Sequence, residues 1–332
     1  HSFANDPQRG LYLLGFSAIL ITISLGFYAY RLPVLISTNL VASKSKEAFL
    51  SINNIIFATL IFAVFLGVMY PLIFDFMYGE RISVGPPYYN TIFAPLTFLA
   101  SIFLVFSVGS LWKRSSQLFF INSALSASIL LSTLITLYLV SLFNDFNWWF
   151  VGGLFSSFLI LFRYLILIIY SFYEGNYFNK ASAIAHIGLG LLILATTFNA
   201  SLSYEKVINI KPGETYTAEA YEFTLINFDL INESNYDSVR AKFSVKDINS
   251  LNKVFFLYPE KRKYFIRGQI TSESAIKITP TKDIYMTLGD QLDNGYWVVN
   301  IQYNYLIRLI WIAAGVMCLG ALATFTQSYS KK

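Results

Sequence analysis

Six stretches of this chain run for 21 residues or more without a charge: Gly10–Tyr30, Ala48–Phe74, Ile82–Trp112, Ser115–Asn144, Ala181–Tyr204 and Leu309–Ser330. A helix needs about 20 apolar residues to cross a bilayer. A seventh run, Phe146–Tyr173, is broken only by Arg163. The pattern predicts seven spanning helices, near residues 10–30, 50–74, 90–112, 118–142, 148–172, 182–202 and 306–327. Of the 332 residues, 55% are hydrophobic and 18% aromatic. The 13% that are charged compare with ~25% in soluble domains. A disordered chain and an ordinary soluble enzyme are thereby excluded. One Cys rules out a disulfide framework and a thiolate metal cluster, and two His rule out a three-His metal site.

The charges are uneven. Residues 203–304 hold 12 Lys/Arg and 13 Asp/Glu, more than half of the chain's total. That nearly neutral segment reads as a water-exposed domain with no basic face for nucleic acid. Its short β-branched and aromatic runs read as strands: Tyr216–Ala220, Phe223–Leu230, Val239–Val245, Val254–Tyr258, Ala275–Ile278, Ile284–Leu288 and Trp297–Tyr303. Turn signals such as Lys211-Pro212-Gly213 and Asp293-Asn294-Gly295 separate them. The expected fold class is an α-helical polytopic membrane protein with one small antiparallel β barrel or sandwich. It divides into six spans over 1–202, the β domain over 203–304, and a last span with a short tail over 305–332.

Basic residues orient the spans. Arg31, Lys44, Lys46, Lys113, Arg114, Lys180, Lys331 and Lys332 gather on one side. The other, outside the β domain, has only Arg9 and Arg81. The first set is expected in the cytoplasm or mitochondrial matrix, and the β domain in the periplasm or its mitochondrial counterpart. The chain opens at His1, nine residues before the first span. It is therefore expected to be processed or, the favoured reading, a piece of something longer.

Few residues inside the spans carry chemistry. His186, in Ala185-His186-Ile187-Gly188-Leu189-Gly190, is costly in lipid and should face the bundle interior. Its neutral imidazole either ligates a metal, with heme iron the best fit, or bonds a neighbouring helix. Gly188 and Gly190 admit a flat macrocycle or another helix. Arg163 either neutralises a heme propionate near His186, or snorkels to the inner headgroups or bonds backbone carbonyls. His1 precedes Asp6-Pro7, a helix start, and is either an outer heme ligand or an inert terminus. The loop Ile82 to Asn90, with Pro86-Pro87 and Tyr88-Tyr89, braces a cofactor or is a rigid turn in an aromatic belt. Trp148-Trp149 reads as a belt anchor and Cys318 as a structural thiol. By these residues alone, a polytopic transporter of heme or a small solute and a heme-free assembly scaffold stay open.

Four stretches resemble the C-terminal half of the CcmF/NrfE heme lyase family. They are His1-Ser2-Phe3-Ala4-Asn5-Asp6-Pro7-Gln8-Arg9-Gly10, Ile82 to Asn90, Ala185-His186, and the β domain with its tail. In the last, Tyr258-Pro259-Glu260-Lys261-Arg262-Lys263-Tyr264, Thr281-Lys282-Asp283-Ile284-Tyr285 and Leu306-Ile307-Arg308-Leu309-Ile310-Trp311 carry the match. The resemblance implies cytochrome c maturation. Heme from the chaperone CcmE is attached through thioether bonds to the Cys-x-x-Cys-His motif of apocytochrome c, which thiol-delivery partners of the CcmH/CcmI type supply. It implies His1 as an axial ligand of the outer heme being transferred, and His186 as an axial ligand of an intramembrane heme b. The family's WWD segment, first outer His and first membrane His are absent. The missing N-terminal half is expected in cis or as a separate chain. The implied location is the bacterial inner membrane, with the mitochondrial inner membrane as the alternative.

Overall fold

The computed structural model describes residues 7–35, 41–43, 45–80, 82–108, 110, 123–143, 147–174, 180–249, 253–266 and 268–329. Among them are seven helices long and apolar enough to cross a membrane, and ten antiparallel strands. The described structure falls into two compact bodies, 1–127 and 128–332.

The first body carries α1 (Pro7–Leu35), α2 (Lys46–Tyr78) and α3 (Pro86–Ser107). Ser45 caps α2 by accepting the Ala48 N–H at 3.2 Å. Gly79 ends it with φ +68, a left-handed turn that glycine takes without a Cβ clash. Pro86-Pro87, expected within a loop, instead open α3, where a missing N–H costs nothing. Tyr88 and Tyr89 therefore sit in a first helical turn and pack on α2. The Tyr88 hydroxyl donates to the Ala63 carbonyl at 3.0 Å, and both rings occupy the space a side chain at Gly67 would need.

The second body holds most of α4 (Ser123–Leu142), then α5 (Trp148–Glu174), α6 (Lys180–Leu202), the strands, and α7 (Ile307–Tyr329). Small residues let α6 approach both neighbours. A Cβ on Gly188 would lie 2.8 Å from the Met317 nitrogen and 2.9 Å from the Ala313 oxygen, both on α7. A Cβ on Gly190 would lie 2.9 Å from Leu161 Cγ on α5, and one on Gly320 of α7 would strike the Ala185 backbone. Of the two readings of Gly188 and Gly190, close helix packing is the one realised. Cys318 faces outward on α7, as do Trp148 and Trp149 at the start of α5.

The strands form a sandwich. One sheet runs β1 (Tyr204–Ile210), β10 (Trp297–Tyr305), β9 (Lys282–Gln291), β8 (Ala275–Ile278). The other runs β2 (Thr215–Ala218), β3 (Tyr221–Asn232), β4 (Tyr236–Asp247), β6 (Glu260–Tyr264), β7 (Ile270–Glu273), with β5 (Val254–Leu257) also on β4. Inward residues alternate along each strand, as a pleat requires. Phe223, Leu225, Ala241, Phe243 and Val245 of one sheet meet Ile284, Met286, Leu288, Val299, Ile301 and Tyr303 of the other, all fully buried. Three strands escape a pattern-based reading: β1, β6 and β7. Strand β6 is Glu-Lys-Arg-Lys-Tyr, and its charges mask a buried position.

Both ends of the sandwich are locked to helices. Only Ser203 separates α6 from β1, and Leu306 separates β10 from α7. Asn199 of α6 donates to the Tyr305 carbonyl at 3.1 Å. Leu306 takes φ +52, a strained value for a branched residue, and its N–H is held by the Thr281 carbonyl at 3.0 Å. Beside this junction Lys282 bonds Glu219 at 3.0 Å, with its ammonium 4.6 Å from the Tyr303 ring centre and 5.2 Å from that of Tyr221.

Candidate functional site

His186 lies on the α5-facing side of α6. Its ring stacks on that of Tyr164 at 4.7 Å between centres and 5° between planes. Nδ1 lies 2.7 Å from the Ser182 carbonyl oxygen, with Ser182 Oγ at 3.4 Å. A carbonyl only accepts, so Nδ1 carries the proton, and Nε2 is left with its lone pair. Among the described residues Nε2 has no hydrogen-bond partner. This is the tautomer of a histidine metal ligand whose other nitrogen is tied to a backbone carbonyl.

Arg163, one residue before Tyr164, is 3% exposed, and among the described residues its Nε and Nη1 have no hydrogen-bond partner. Successive helical residues point about 100° apart, so Arg163 lies on the face next to the Tyr164 stripe. Ser156, seven residues earlier on the same face, is also buried, and its hydroxyl is likewise unpartnered. A guanidinium in hydrocarbon without a counter-charge costs several kcal/mol. Such a group calls for an anion. Arg163 makes no direct bond with His186; the structure links them through Tyr164, which fixes α5 and α6 at a common level.

An imidazole with a free lone pair on α6, and on α5 a buried arginine one residue from its stacking partner, with Nε and Nη1 unpartnered among the described residues, match the chemistry of an iron porphyrin with its propionates. The residues present fit that group. The spaces at Gly188 and Gly190 do not take part, being filled by α7 side chain and backbone and by α5 side chains. Among the described residues no cluster of three or more His, Cys, Asp or Glu could hold a bare metal ion. His1 lies outside the described residues.

Tyr164 escapes a reading of the sequence because a tyrosine in an apolar span looks like any lipid-facing aromatic. Its signal is spacing. Gly153, Ile160 and Tyr164 share a stripe, and the first two meet α6 at Thr197 and Gly190.

Residues 201–305 match the model of the CcmF C-terminal beta-sandwich. The whole chain aligns at 30% identity with the cytochrome c-type biogenesis protein CcmF of Pseudomonas aeruginosa, covering 52% of that protein. It aligns over its whole length at 29% identity with CcmF of Escherichia coli, again covering 52% of the relative. A solved structure of the cytochrome c heme lyase CcmF superposes with a TM-score of 0.72 at 18% identity, over 95% of this chain and 50% of that one. The chain thus spans about half the length of the curated relatives it matches. Helices, sandwich and sequence together match the C-terminal half of the CcmF family of cytochrome c-type biogenesis proteins.

Proposed function

We propose that this chain is the C-terminal half of a cytochrome c heme lyase, and that His186 is one axial ligand of a heme b held within the membrane. The observation that carries this reading is the His186 imidazole. Its Nδ1 is tied to Ser182, its Nε2 is free, and its ring stacks on Tyr164, the sequence neighbour of a buried arginine whose Nε and Nη1 have no hydrogen-bond partner among the described residues. Arg163 would neutralise a propionate through paired charge-assisted hydrogen bonds. When bound there, the b-type heme supplies a redox-active iron.

The cargo is a second heme, received from CcmE at the outer face, with His1 as one of its axial ligands. Attachment adds each cysteine S–H of apocytochrome c across a vinyl C=C, forming one C–S and one C–H bond, with nothing leaving. The chain's part is to position: an axial histidine holds the iron while the vinyls meet the thiols. The required thiols come from the substrate, consistent with a chain whose single Cys318 faces outward on a helix. In this reading residues 1–202 and 305–332 form the membrane part. The 203–304 domain projects into the periplasm of a bacterial inner membrane, or its mitochondrial equivalent. There it offers a docking surface for apocytochrome c and its CcmH/CcmI-type delivery partners.

The test is covalent heme staining of membranes from cells lacking the protein. Restoration of stained cytochrome c by the wild-type protein, and its loss in His186→Ala, is the expected result. Normal staining in cells without the protein would overturn the proposal.

A further inference from the structure

We propose that Tyr164 is a positioning residue that sets the rotational angle of the His186 imidazole about its bond to iron. The inference rests on the reading of His186 as an axial ligand. An imidazole held by one hydrogen bond can still roll about the Nδ1–H···O axis, so the 2.7 Å bond to Ser182 fixes the tautomer and one edge of the ring, not its plane. The plane is fixed by the Tyr164 ring, parallel to within 5° and 4.7 Å away. Tyr164 cannot follow a rolling histidine, because it is 3% exposed and packed on all sides.

The helices are clamped as well. On one side of α6, a Cβ at Gly190 would meet Leu161 of α5 at 2.9 Å, and Gly153 of α5 abuts Thr197. On the other, Gly320 of α7 sits against the Ala185 backbone, next to His186 itself. Sliding α5 by one residue would drive these contacts into overlap, so the stack keeps a single register.

Stacking leaves the ring edge free. Nε2 lies in the imidazole plane, whereas Tyr164 covers a face, so the tyrosine constrains orientation without occupying the ligand position. The angle of an axial imidazole plane against the porphyrin nitrogens splits the iron d orbitals, and electron paramagnetic resonance of the ferric low-spin heme reads that splitting. Loss of a stack should weaken heme retention about two- to tenfold, up to ~1.4 kcal/mol at one decade, within the range of an aromatic pair.

The experiment compares wild-type, Tyr164→Phe, Tyr164→Leu and His186→Ala proteins purified from membranes in detergent, by heme content and by paramagnetic resonance. Tyr164→Phe keeps the ring and should give the wild-type g values. Tyr164→Leu should hold heme about two- to tenfold less tightly and, in the fraction that carries it, show a shifted, broadened low-spin signal. A Tyr164→Leu spectrum that overlays the wild type would overturn the proposal. So would a Tyr164→Phe spectrum that departs from it, a result readable even if the leucine variant does not accumulate. Undiminished heme in His186→Ala would instead overturn the ligand reading beneath it, which no Tyr164 variant can do.

Discussion

In the β-sandwich a buried carboxylate is met by two arginines; in α5 a buried guanidinium is met by no hydrogen bond at Nε or Nη1 among the described residues. Glu260 is 3% exposed and accepts from Arg240 at 3.0 Å and from Arg262 at 2.8 Å. Arg262 in turn lies 4.6 Å from the Tyr236 ring centre and 3.6 Å from Glu273. Arg163 is equally buried. The sandwich matches its buried charge from its own strands, although Ser238 Oγ, Thr271 Oγ1 and Asn300 Oδ1 are buried there with no hydrogen-bond partner among the described residues. Among the described residues the helical part leaves the Arg163 charge unmatched, and it is this demand that the proposed heme propionate would meet.

Four substitutions sharpen or break that contrast. Phe243→Ala removes a fully buried ring from the sandwich core and should cost about 3–5 kcal/mol, seen as early loss of amide protection in β3, β4 and β9 by hydrogen exchange. Arg163→Leu should act in the opposite sense. In protein prepared without heme it should raise stability by about 1–4 kcal/mol, because an uncompensated buried charge is gone. The same variant should bind heme less tightly. A destabilised heme-free Arg163→Leu would mean that the guanidinium is already satisfied within the protein. Thermal unfolding followed by tryptophan fluorescence separates the two outcomes.

Glu260→Gln should cost about 1–3 kcal/mol, since three charge-assisted hydrogen bonds from two arginines lose their acceptor charge. Its pH signature is equally definite. Burial by itself would raise the Glu260 carboxyl, but hydrogen bonds from Arg262 and Arg240 outweigh it and hold the group below the usual carboxylate range. The stabilisation is therefore complete above the ordinary glutamate value of about 4.3. It drains away as pH falls through the lower, folded value. Wild-type stability should fall with acidification across that window more steeply than that of Glu260→Gln. The smallest effect, about 1 kcal/mol, is expected for Asn199→Ala, which frees the Tyr305 carbonyl. It should appear as faster exchange at the β10–α7 junction alone.

What the sequence disclosed follows the same divide. Spanning helices are legible because a charge-free run of 21 or more residues has few other uses, and every expected span has its helix. The β core is legible where alternation is clean, as in Ile284, Met286 and Leu288. It is hidden in β6, where Glu260 points inward among Lys261, Arg262 and Lys263 and is matched by Arg240 on β4 and by Arg262 on β6 itself. Strand β3 also runs past its expected end, with a register shift between Leu225 and Asn227 that breaks the alternation. At the site, His186 and Arg163 stand out because their types are rare in lipid. Tyr164 does not, since only the pairing of α5 with α6 gives it a role. Nor does the sequence reveal that Gly188 serves α7 rather than a ligand, a matter of which face of α6 each neighbour takes.

The central claim is that the lone pair of His186 holds iron. Heme per polypeptide, measured as the pyridine hemochrome of purified wild-type and His186→Ala proteins, tests it most directly. The b-type signal of the wild type should be lost in the variant while the protein still inserts and its sandwich still folds. A variant that keeps its full complement of b-type heme would contradict it.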